Sequence, residues 1–214
     1  MIGILPVKKY GSHSALNMFT EYSMINPREM TEFFGFTEDE VKEAREMSKG
    51  EGMGKLIILR GNSGSGKTTI AKALQKKLGR NTMLISQDEI RRNMLWVDDG
   101  IDTKALPLMA ELLRYGSDHS EFSILEGIMY EEWYRPLFKL ANELYGSNVY
   151  AYYFDLTFEE TVRRHNTRNR EFGETDMRRW WREKDFSADL NEQTITCEMD
   201  MESIVEKIYS ELSN

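Results

Sequence analysis

The sequence contains only one cysteine, Cys197, among its 214 residues. A single cysteine excludes an internal disulfide and a metal cluster built on several thiolates, and it favours a reducing compartment. Unpaired cysteines are among the most frequently buried residues, so we expect Cys197 to be a small core residue.

Long hydrophobic runs and a secretion signal are missing as well. No apolar stretch approaches the roughly 18 residues that a membrane-spanning helix needs. Residues 1–10 lack the apolar centre of a signal peptide. The sequence therefore predicts a cytoplasmic protein with no membrane partner.

An excess of positive charge is also lacking, because the net charge is −8. This value argues against a protein that coats nucleic acid. Positive charge is instead concentrated at residues 163–184, which hold eight Lys or Arg residues against four acids. A basic segment of this kind is suited to handling phosphate groups.

The chain divides into two parts at a glycine-rich stretch. Residues 1–52 carry helix-start signals, namely Pro27 and a capping box formed by Thr37 and Glu40, and we predict a small helical appendage there. In residues 53–214, strand and helix patterns alternate. This alternation predicts an α/β domain whose central parallel sheet is covered on both faces.

The elements of the second part can be bounded from the sequence. The predicted strands are 56–60, 82–86, 122–127, 149–156 and 193–197. The predicted helices are 69–79, 88–95, 103–120, 131–146, 157–168, 175–186 and 201–212. Pro136 predicts a break or a late start in the helix at 131–146, since proline lacks an amide donor and collides with the preceding turn.

A glycine-rich segment follows the first predicted strand and opens the next helix. It satisfies the pattern G-x-x-x-x-G-K-[ST] with Gly61, Asn62, Ser63, Gly64, Ser65, Gly66, Lys67 and Thr68, followed by Thr69. In this context, backbone N–H groups and the helix N-terminus bind phosphate oxygens. We expect Lys67 to reach the β- and γ-phosphates of ATP, and the Thr68 hydroxyl to ligate Mg²⁺. Residues 61–68 are called the P-loop below.

Kinases, motors and switches share such a loop, and three features favour a small kinase. The guanine-specifying pattern N-K-x-D does not occur in the sequence. The strand at 122–127 ends in a single acid, Glu126, rather than in the hydrophobic-Asp-Glu ending of many ATP-driven motors. The basic segment lies where small kinases have a mobile lid. The predicted fold is therefore an α/β P-loop NTPase three-layer sandwich with an arginine-rich lid.

Asp88 follows the second predicted strand, so it should emerge at the carboxyl edge of the sheet, beside the P-loop. A carboxylate there can orient an attacking hydroxyl and accept its proton. Arg91, one helical turn later, is spaced to hold an acceptor phosphate or to steady Asp88. The alternative is that Asp88 only caps the short helix at 88–95.

Two stretches resemble known kinases. Residues 84–92, LISQDEIRR, resemble the strand-end D-x-x-R element of polynucleotide 5′-hydroxyl kinases, and zeta toxins and chloramphenicol phosphotransferase have an acid in a comparable place. Arg164 and Arg168 reproduce the R-x-x-x-R spacing of the 5′-kinase lid. Residues 54–200 as a whole are similar to a bacterial group described as kinases, uridine kinase-like or zeta-toxin-like.

The resemblance implies roles for individual residues. By position, Asp88 would be the general base and Arg91 an acceptor contact. Arg164 and Arg168 would balance charge on the transferring phosphoryl group, and Glu126 would lie near the water shell of Mg²⁺. The alternative for the lid arginines is a solvated helix face with paired charges, and His165 in the same run is expected to be a surface residue.

Residues 4–41 resemble an internal stretch of AAA-type ATPases predicted in anaerobic bacteria. The stretch lacks that family's own phosphate loop, so the resemblance implies no second activity. Two roles stay open for the appendage, which are packing on the kinase domain and helping it to form a homodimer.

Together these features predict a kinase that uses ATP and Mg²⁺ and transfers the γ-phosphoryl group to a hydroxyl acceptor. A small molecule, namely a nucleoside, a nucleotide sugar or an antibiotic, is the favoured acceptor. A nucleic-acid 5′ end is an alternative that the net negative charge disfavours. An ATP-binding regulatory or interaction module is the alternative from another class.

Overall fold

The computed structural model describes residues 54–166 and 173–212, so the predicted appendage at 1–52 lies outside the described residues. The strands are β1 (Lys55–Gly61), β2 (Thr82–Ser86), β3 (Phe122–Glu126), β4 (Val149–Phe154) and β5 (Glu192–Ile195). The α-helices are α1 (Lys67–Leu78), α2 (Ala105–His119), α3 (Glu131–Tyr145), α4 (Phe158–Asn166), α5 (Glu174–Arg179) and α6 (Met201–Leu212). A π-helix spans Glu89–Met94, and a short 3₁₀ helix spans Gly146–Asn148.

The five strands form one parallel sheet in the order β2-β3-β1-β4-β5. Glu126, the last residue of β3, is in register with Leu59 of β1 and with Ser86 of β2. The carboxyl ends of these three strands therefore meet at one edge of the sheet. The predicted parallel sheet is confirmed, and its order brings the P-loop and Glu126 to the same edge.

The core lies on both faces of the sheet, as the continuous apolar strands require. Leu56 and Ile58 pack on one face with residues of α2 and α3. Ile57 and Leu59 pack on the other face with residues of α1 and α6. Since all four side chains are fully buried, β1 is the centre of a three-layer sandwich. None of the helices in residues 54–166 and 173–212 combines the length and apolar character that crossing a membrane requires.

Helix α3 runs through Pro136 without the break or late start that the sequence predicts. The helix begins at Glu131, so only one full turn precedes the proline. The carbonyl that loses its partner belongs to Glu132, and both Glu132 and Pro136 are exposed to solvent. Water can therefore satisfy that carbonyl, and the cost that proline imposes in a helix interior is reduced.

Helix α5 is shorter than the predicted helix at 175–186, because it ends at Arg179. Beyond it, the backbone is held by partners from elsewhere in the chain. The Asn62 side chain accepts a hydrogen bond from the N–H of Arg182 (3.0 Å) and donates one to its carbonyl (2.7 Å). The N–H of Asp185 donates to the Tyr153 hydroxyl at 3.0 Å. These tertiary bonds replace the helical ones.

Cys197 is exposed, so the expectation of a small core residue is wrong. Strand β5 ends at Ile195, which is fully buried, and the chain leaves the sheet before it reaches the cysteine. The residue type alone favours burial of Cys197. Its exposed position follows instead from the end of β5 at Ile195, two residues earlier.

Arg60, at the end of β1, is fully buried and joins three segments. Its guanidinium donates to Glu192 at 2.8 Å, to Asp185 at 3.0 Å and to the Met129 carbonyl at 2.8 and 3.0 Å. It also lies 4.6 Å from the centre of the Phe138 ring. Arg60 thereby connects three segments to β1, the strand that leads into the P-loop. These segments are β5, the stretch after α5 that contains Asp185, and the loop after β3.

Replacing Arg60 with methionine should lower the free energy of unfolding by about 3–5 kcal/mol, because it leaves the buried Glu192 carboxylate and the partly buried Asp185 carboxylate without their cation. Urea denaturation of the two proteins measures this difference. Arg114→Met is the matched control, since Arg114 pairs with Glu111 at 3.7 Å on an exposed helix face. An exposed pair contributes only about 0–1 kcal/mol, so equal losses in both variants would contradict the prediction.

Candidate active site

The P-loop joins β1 to α1 and owes its path to glycine. Gly64 and Gly66 have φ angles of 78° and 102°, which side-chain-bearing residues rarely adopt. A Cβ atom on Gly64 would also lie 2.6 Å from the Thr161 carbonyl oxygen of α4. Glycine therefore permits both the tight loop and its close contact with α4.

Lys67, the first residue of α1, lies folded into the P-loop. Its Nζ donates to the Asn62 carbonyl at 2.8 Å and to Ser65 Oγ at 3.1 Å, and the residue is only 6% exposed. Burial lowers the pKa of Lys67 to about 8, although the carboxylates of Glu126 and Asp88 oppose this shift. An ammonium group held inside a ring of loop atoms is the arrangement that phosphate binding requires.

The affinity for ATP should fall as pH rises through about 8, where Lys67 loses its proton in the free protein. Bound phosphates favour the charged ammonium, so nucleotide binding raises the pKa of Lys67 and takes up a proton near that pH. Isothermal titration calorimetry between pH 7 and 9, in two buffers of different ionisation enthalpy, measures the affinity and the proton uptake. Lys76→Ala, an exposed change on the same helix, should keep this dependence. Constant affinity without proton uptake would contradict the prediction.

Glu126 is the acceptor at the centre of a small oxygen cluster. The Thr68 hydroxyl donates to one of its oxygens at 3.0 Å, and the Ser86 hydroxyl donates to the other. Glu126 is 3% exposed, so its carboxylate is fixed in position. Hydroxyl and carboxylate oxygens are the ligands that Mg²⁺ prefers, and these residues fit a magnesium site at the end of the P-loop.

Asp88 directly precedes the π-helix but has helical angles itself, with φ −65° and ψ −38°. Among the described residues, no helix N–H donates a capping hydrogen bond to its side chain, so the capping interpretation is wrong. The carboxylate instead accepts from Arg91 at 3.1 Å and lies 3.4 Å from Arg92 Nε. Its side chain is 59% exposed and borders the same cleft as the P-loop.

Gln87 fixes the backbone beside Asp88. Its amide is 1% exposed and accepts hydrogen bonds from the N–H groups of Ile128 (2.9 Å) and Met129 (3.3 Å). The same amide donates to the Tyr134 hydroxyl at 2.8 Å. Gln87 thus links the end of β2, next to Asp88, to the loop that follows Glu126.

The basic segment meets the P-loop through Arg164 of α4. Its guanidinium donates to Glu160 at 2.6 Å and to the Ser65 carbonyl at 3.0 Å. Hydrogen bonds from Arg163 and Arg164 lower the pKa of Glu160 to about 2, so this acid stays charged. Arg164 is therefore in contact with the P-loop, and Arg168 lies outside the described residues.

These elements surround one cleft of about 320 Å³ at the carboxyl edge of the sheet. The predicted site residues that border it are Ser63, Gly64, Gly66, Lys67, Thr68, Asp88, Glu126 and Arg164. Asn62 holds the Arg182 backbone instead, and Arg91 does not border the cleft that the described residues form. The structure therefore brings the P-loop, Glu126, Asp88 and one lid arginine together.

Sequence reasoning missed several residues of this cleft, including Ser86, Arg92, Asn93 and His165. His165 is buried at 7% exposure, which contradicts the expected surface position. Its neighbour Arg164 contacts the P-loop, and this contact turns α4 towards the cleft. Ser86 could have been found, since it ends a predicted strand at the same edge as Glu126.

Solved structures with this fold include a gluconokinase from Sinorhizobium meliloti 1021, at 15% identity and a TM-score of 0.56 over 76% of this chain and 94% of that one. An APS kinase of Mycobacterium tuberculosis in complex with AMPPNP and APS has 16% identity and a TM-score of 0.55 over 76% and 99% of the two chains. A Deinococcus radiodurans tunicamycin resistance protein has 16% identity and a TM-score of 0.52 over 74% and 95%. At these identities the likeness shows a common α/β P-loop kinase fold.

No curated protein sequence matches the chain significantly. A family model does match, and it spans β1, the P-loop, Asp88, Glu126 and the basic segment. That model, described as an AAA domain, matches residues 56–186, more than half of the chain, and the chain therefore belongs to this AAA domain family.

Proposed function

We propose that the protein is an ATP-dependent phosphotransferase that moves the γ-phosphoryl group of ATP to a hydroxyl group of a small molecule. The observation that carries this proposal is the position of Asp88. Its carboxylate borders the same cleft as the P-loop and is separated from Lys67 by 21 positions in sequence. A loop that only binds nucleotide needs no carboxylate beside it to accept a proton, whereas transfer to a hydroxyl is assisted by one.

In the proposed reaction, the acceptor hydroxyl lies against Asp88, which accepts its proton as the oxygen bonds to the γ-phosphorus. The bond between that phosphorus and the bridging oxygen of ADP breaks, and ADP carries the electron pair away. Lys67 and Arg164 compensate negative charge around the transferring group, because both donate hydrogen bonds to atoms of the P-loop. Arg168 is proposed to assist Arg164 in the same role.

Thr68 and Glu126 would hold Mg²⁺. The metal would supply charge compensation on the β- and γ-phosphate oxygens. Ser86 positions Glu126 for this role, because its hydroxyl donates to the oxygen of Glu126 that Thr68 does not use.

The small-molecule acceptor is supported by the neighbours and by charge. A gluconokinase and an APS kinase share this fold, the latter in complex with AMPPNP and APS. The net charge of −8 disfavours a long polyanion as the partner. A nucleoside, a nucleotide sugar or an antibiotic therefore remains the preferred acceptor over a nucleic-acid 5′ end.

The test is mass spectrometry of a metabolite and oligonucleotide pool that has been incubated with the protein, Mg²⁺ and ATP labelled in the γ-phosphate. A labelled small molecule is the expected product. A labelled oligonucleotide 5′ end would identify a polynucleotide kinase instead. ATP turnover without any labelled product would overturn the proposal in favour of a regulatory module.

Residues 53–214 are proposed to form the whole catalytic unit. A chain that begins at Met53 should then fold, bind ATP and transfer phosphate at the rate of the full-length chain. Circular dichroism and calorimetry with ATP measure folding and binding, and the labelled product measures transfer. Insoluble protein or lost ATP binding would show that residues 1–52 complete the core or the site.

A further inference from the structure

The π-helix at Glu89–Met94 borders the cleft through Glu89, Arg92 and Asn93. Its hydrogen bonds include Leu95 N–H to the Ile90 carbonyl at 3.0 Å, which joins residues five apart. An α-helix joins residues four apart, so its successive turns stack at spacings of three and four. The wider turn of a π-helix shifts this stacking to spacings of four and five.

The wider turn decides which of two adjacent arginines faces the cleft. Arg92 and Asn93, four and five residues after Asp88, border the cleft together with Asp88 and Glu89. Arg91, three residues after Asp88, donates to the Asp88 carboxylate at 3.1 Å and to the Val97 carbonyl at 3.4 Å, but its side chain is only 15% exposed and does not border the cleft that the described residues form. The Arg92 side chain is 41% exposed. The arginine that an incoming molecule meets is therefore Arg92.

The cations of the cleft divide into two groups. Lys67 and Arg164 contact the P-loop, where the nucleotide phosphates would bind, and Lys72 borders the cleft from α1, the helix that the P-loop opens. Arg92 lies on the π-helix, and its Nε is 3.4 Å from the Asp88 carboxylate. Because the nucleotide side has its own cations, Arg92 supplies positive charge next to the group that receives the acceptor hydroxyl.

We infer that the acceptor is an anionic alcohol, whose carboxylate, sulfate or phosphate group binds to Arg92 while its hydroxyl faces Asp88. This inference rests on the proposed function. A planar guanidinium binds such oxyanions through two parallel hydrogen bonds, which gives orientation as well as affinity. Arg91 keeps a structural role in the loop at Val97.

The test first saturates the protein with AMPPNP and Mg²⁺, so that the nucleotide phosphate positions are filled. Sulfate, gluconate and the neutral polyol sorbitol are then titrated at constant ionic strength, and binding is measured by calorimetry and by the melting temperature. The wild type should bind both anions more tightly than sorbitol. Arg92→Gln should reduce anion affinity by about tenfold or more, the usual size for a hydrogen bond to a charged group. Arg92→Lys should keep part of it.

Two further variants sharpen the result. Arg114→Gln, an exposed change on α2, should leave anion binding unchanged. Arg91→Gln should lower thermal stability rather than the preference for anions. The inference would be overturned if the wild type and Arg92→Gln bound each anion with the same affinity. It would also be overturned if Arg91→Gln lost as much anion affinity as Arg92→Gln.

Transfer kinetics with the acceptor identified from the metabolite pool separate two roles of Arg92. If it binds the acceptor anion, Arg92→Gln raises KM and changes kcat little. If it only steadies Asp88, kcat falls and KM is unchanged, which contradicts the inference. A neutral acceptor that wild type and Arg92→Gln phosphorylate equally would reject the inference and leave the proposed function standing. Absence of any phosphorylated product would reject the proposed function itself.

Discussion

Lys67→Ala is expected to reduce phosphoryl transfer by about 10²–10³-fold or more, the range seen when one preorganised donor is removed from a charged transition state. Lys67 is the ammonium group held inside the P-loop, within hydrogen-bonding distance of Asn62 and Ser65. Alanine leaves the loop without a cation where the β- and γ-phosphates bind, so the affinity for ATP should fall as well. Release of labelled product and calorimetry with ATP measure the two effects.

The matched control is Lys76→Ala, which removes an exposed lysine from the last turn of the same helix. Its transfer rate and its affinity for ATP should equal those of the wild type. Melting curves establish that Lys67→Ala is folded, since removal of a partly desolvated charge should not destabilise the domain. Full turnover by the folded Lys67→Ala variant would reject the kinase assignment.

Asp88→Asn is expected to reduce transfer to the acceptor by about 10²–10⁴-fold, the usual contribution of general-base assistance. The amide keeps an oxygen that can accept a hydrogen bond from Arg91, but it cannot take the proton of the attacking hydroxyl. Asp88 is 59% exposed, and exposed ion pairs contribute little to stability, so melting should change little. Binding of ATP should also change little, because its main contacts lie in the P-loop.

Glu89→Gln is the control that removes a different negative charge from the same cleft. It tests whether the transfer rate depends on Asp88 in particular or on any carboxylate there. Glu89 also borders the cleft, and it accepts a hydrogen bond from Asn93 at 2.7 Å that glutamine can keep. Transfer by Glu89→Gln should stay within a few-fold of the wild-type rate. A nearly wild-type rate in Asp88→Asn, or an equal loss in both variants, would mean that another group activates the acceptor.

Features that depend on local spacing could be predicted from the sequence. The P-loop pattern joins a strand to a helix within eight positions, and each glycine meets a backbone requirement that the structure confirms at Gly64 and Gly66. Strand β2 was predicted with its observed bounds, Thr82–Ser86, because an apolar run between polar breaks has few other solutions. The parallel sheet followed from the alternation of such strands with helices.

Errors arose where partners distant in sequence decide the local conformation. The helix predicted at 175–186 ends at Arg179, since Asn62 and Tyr153 take the backbone groups that would have continued it. Helix α3 tolerates Pro136 because the affected carbonyl is near solvent. His165 is buried because Arg164 draws α4 onto the P-loop.

By itself, the sequence determined that the chain has a P-loop, a parallel sheet and an acid after the second strand, because each rests on residue types at short, regular spacings. Only the tertiary structure decided which side chains share the cleft with them. The π-helix places Arg92 at the border of the cleft, whereas the adjacent Arg91 is mostly buried beside it. Arg60 shows the same limit, since its partners Asp185 and Glu192 lie 125 and 132 positions away. Contacts at such separations depend on how the layers pack, and no local pattern encodes them.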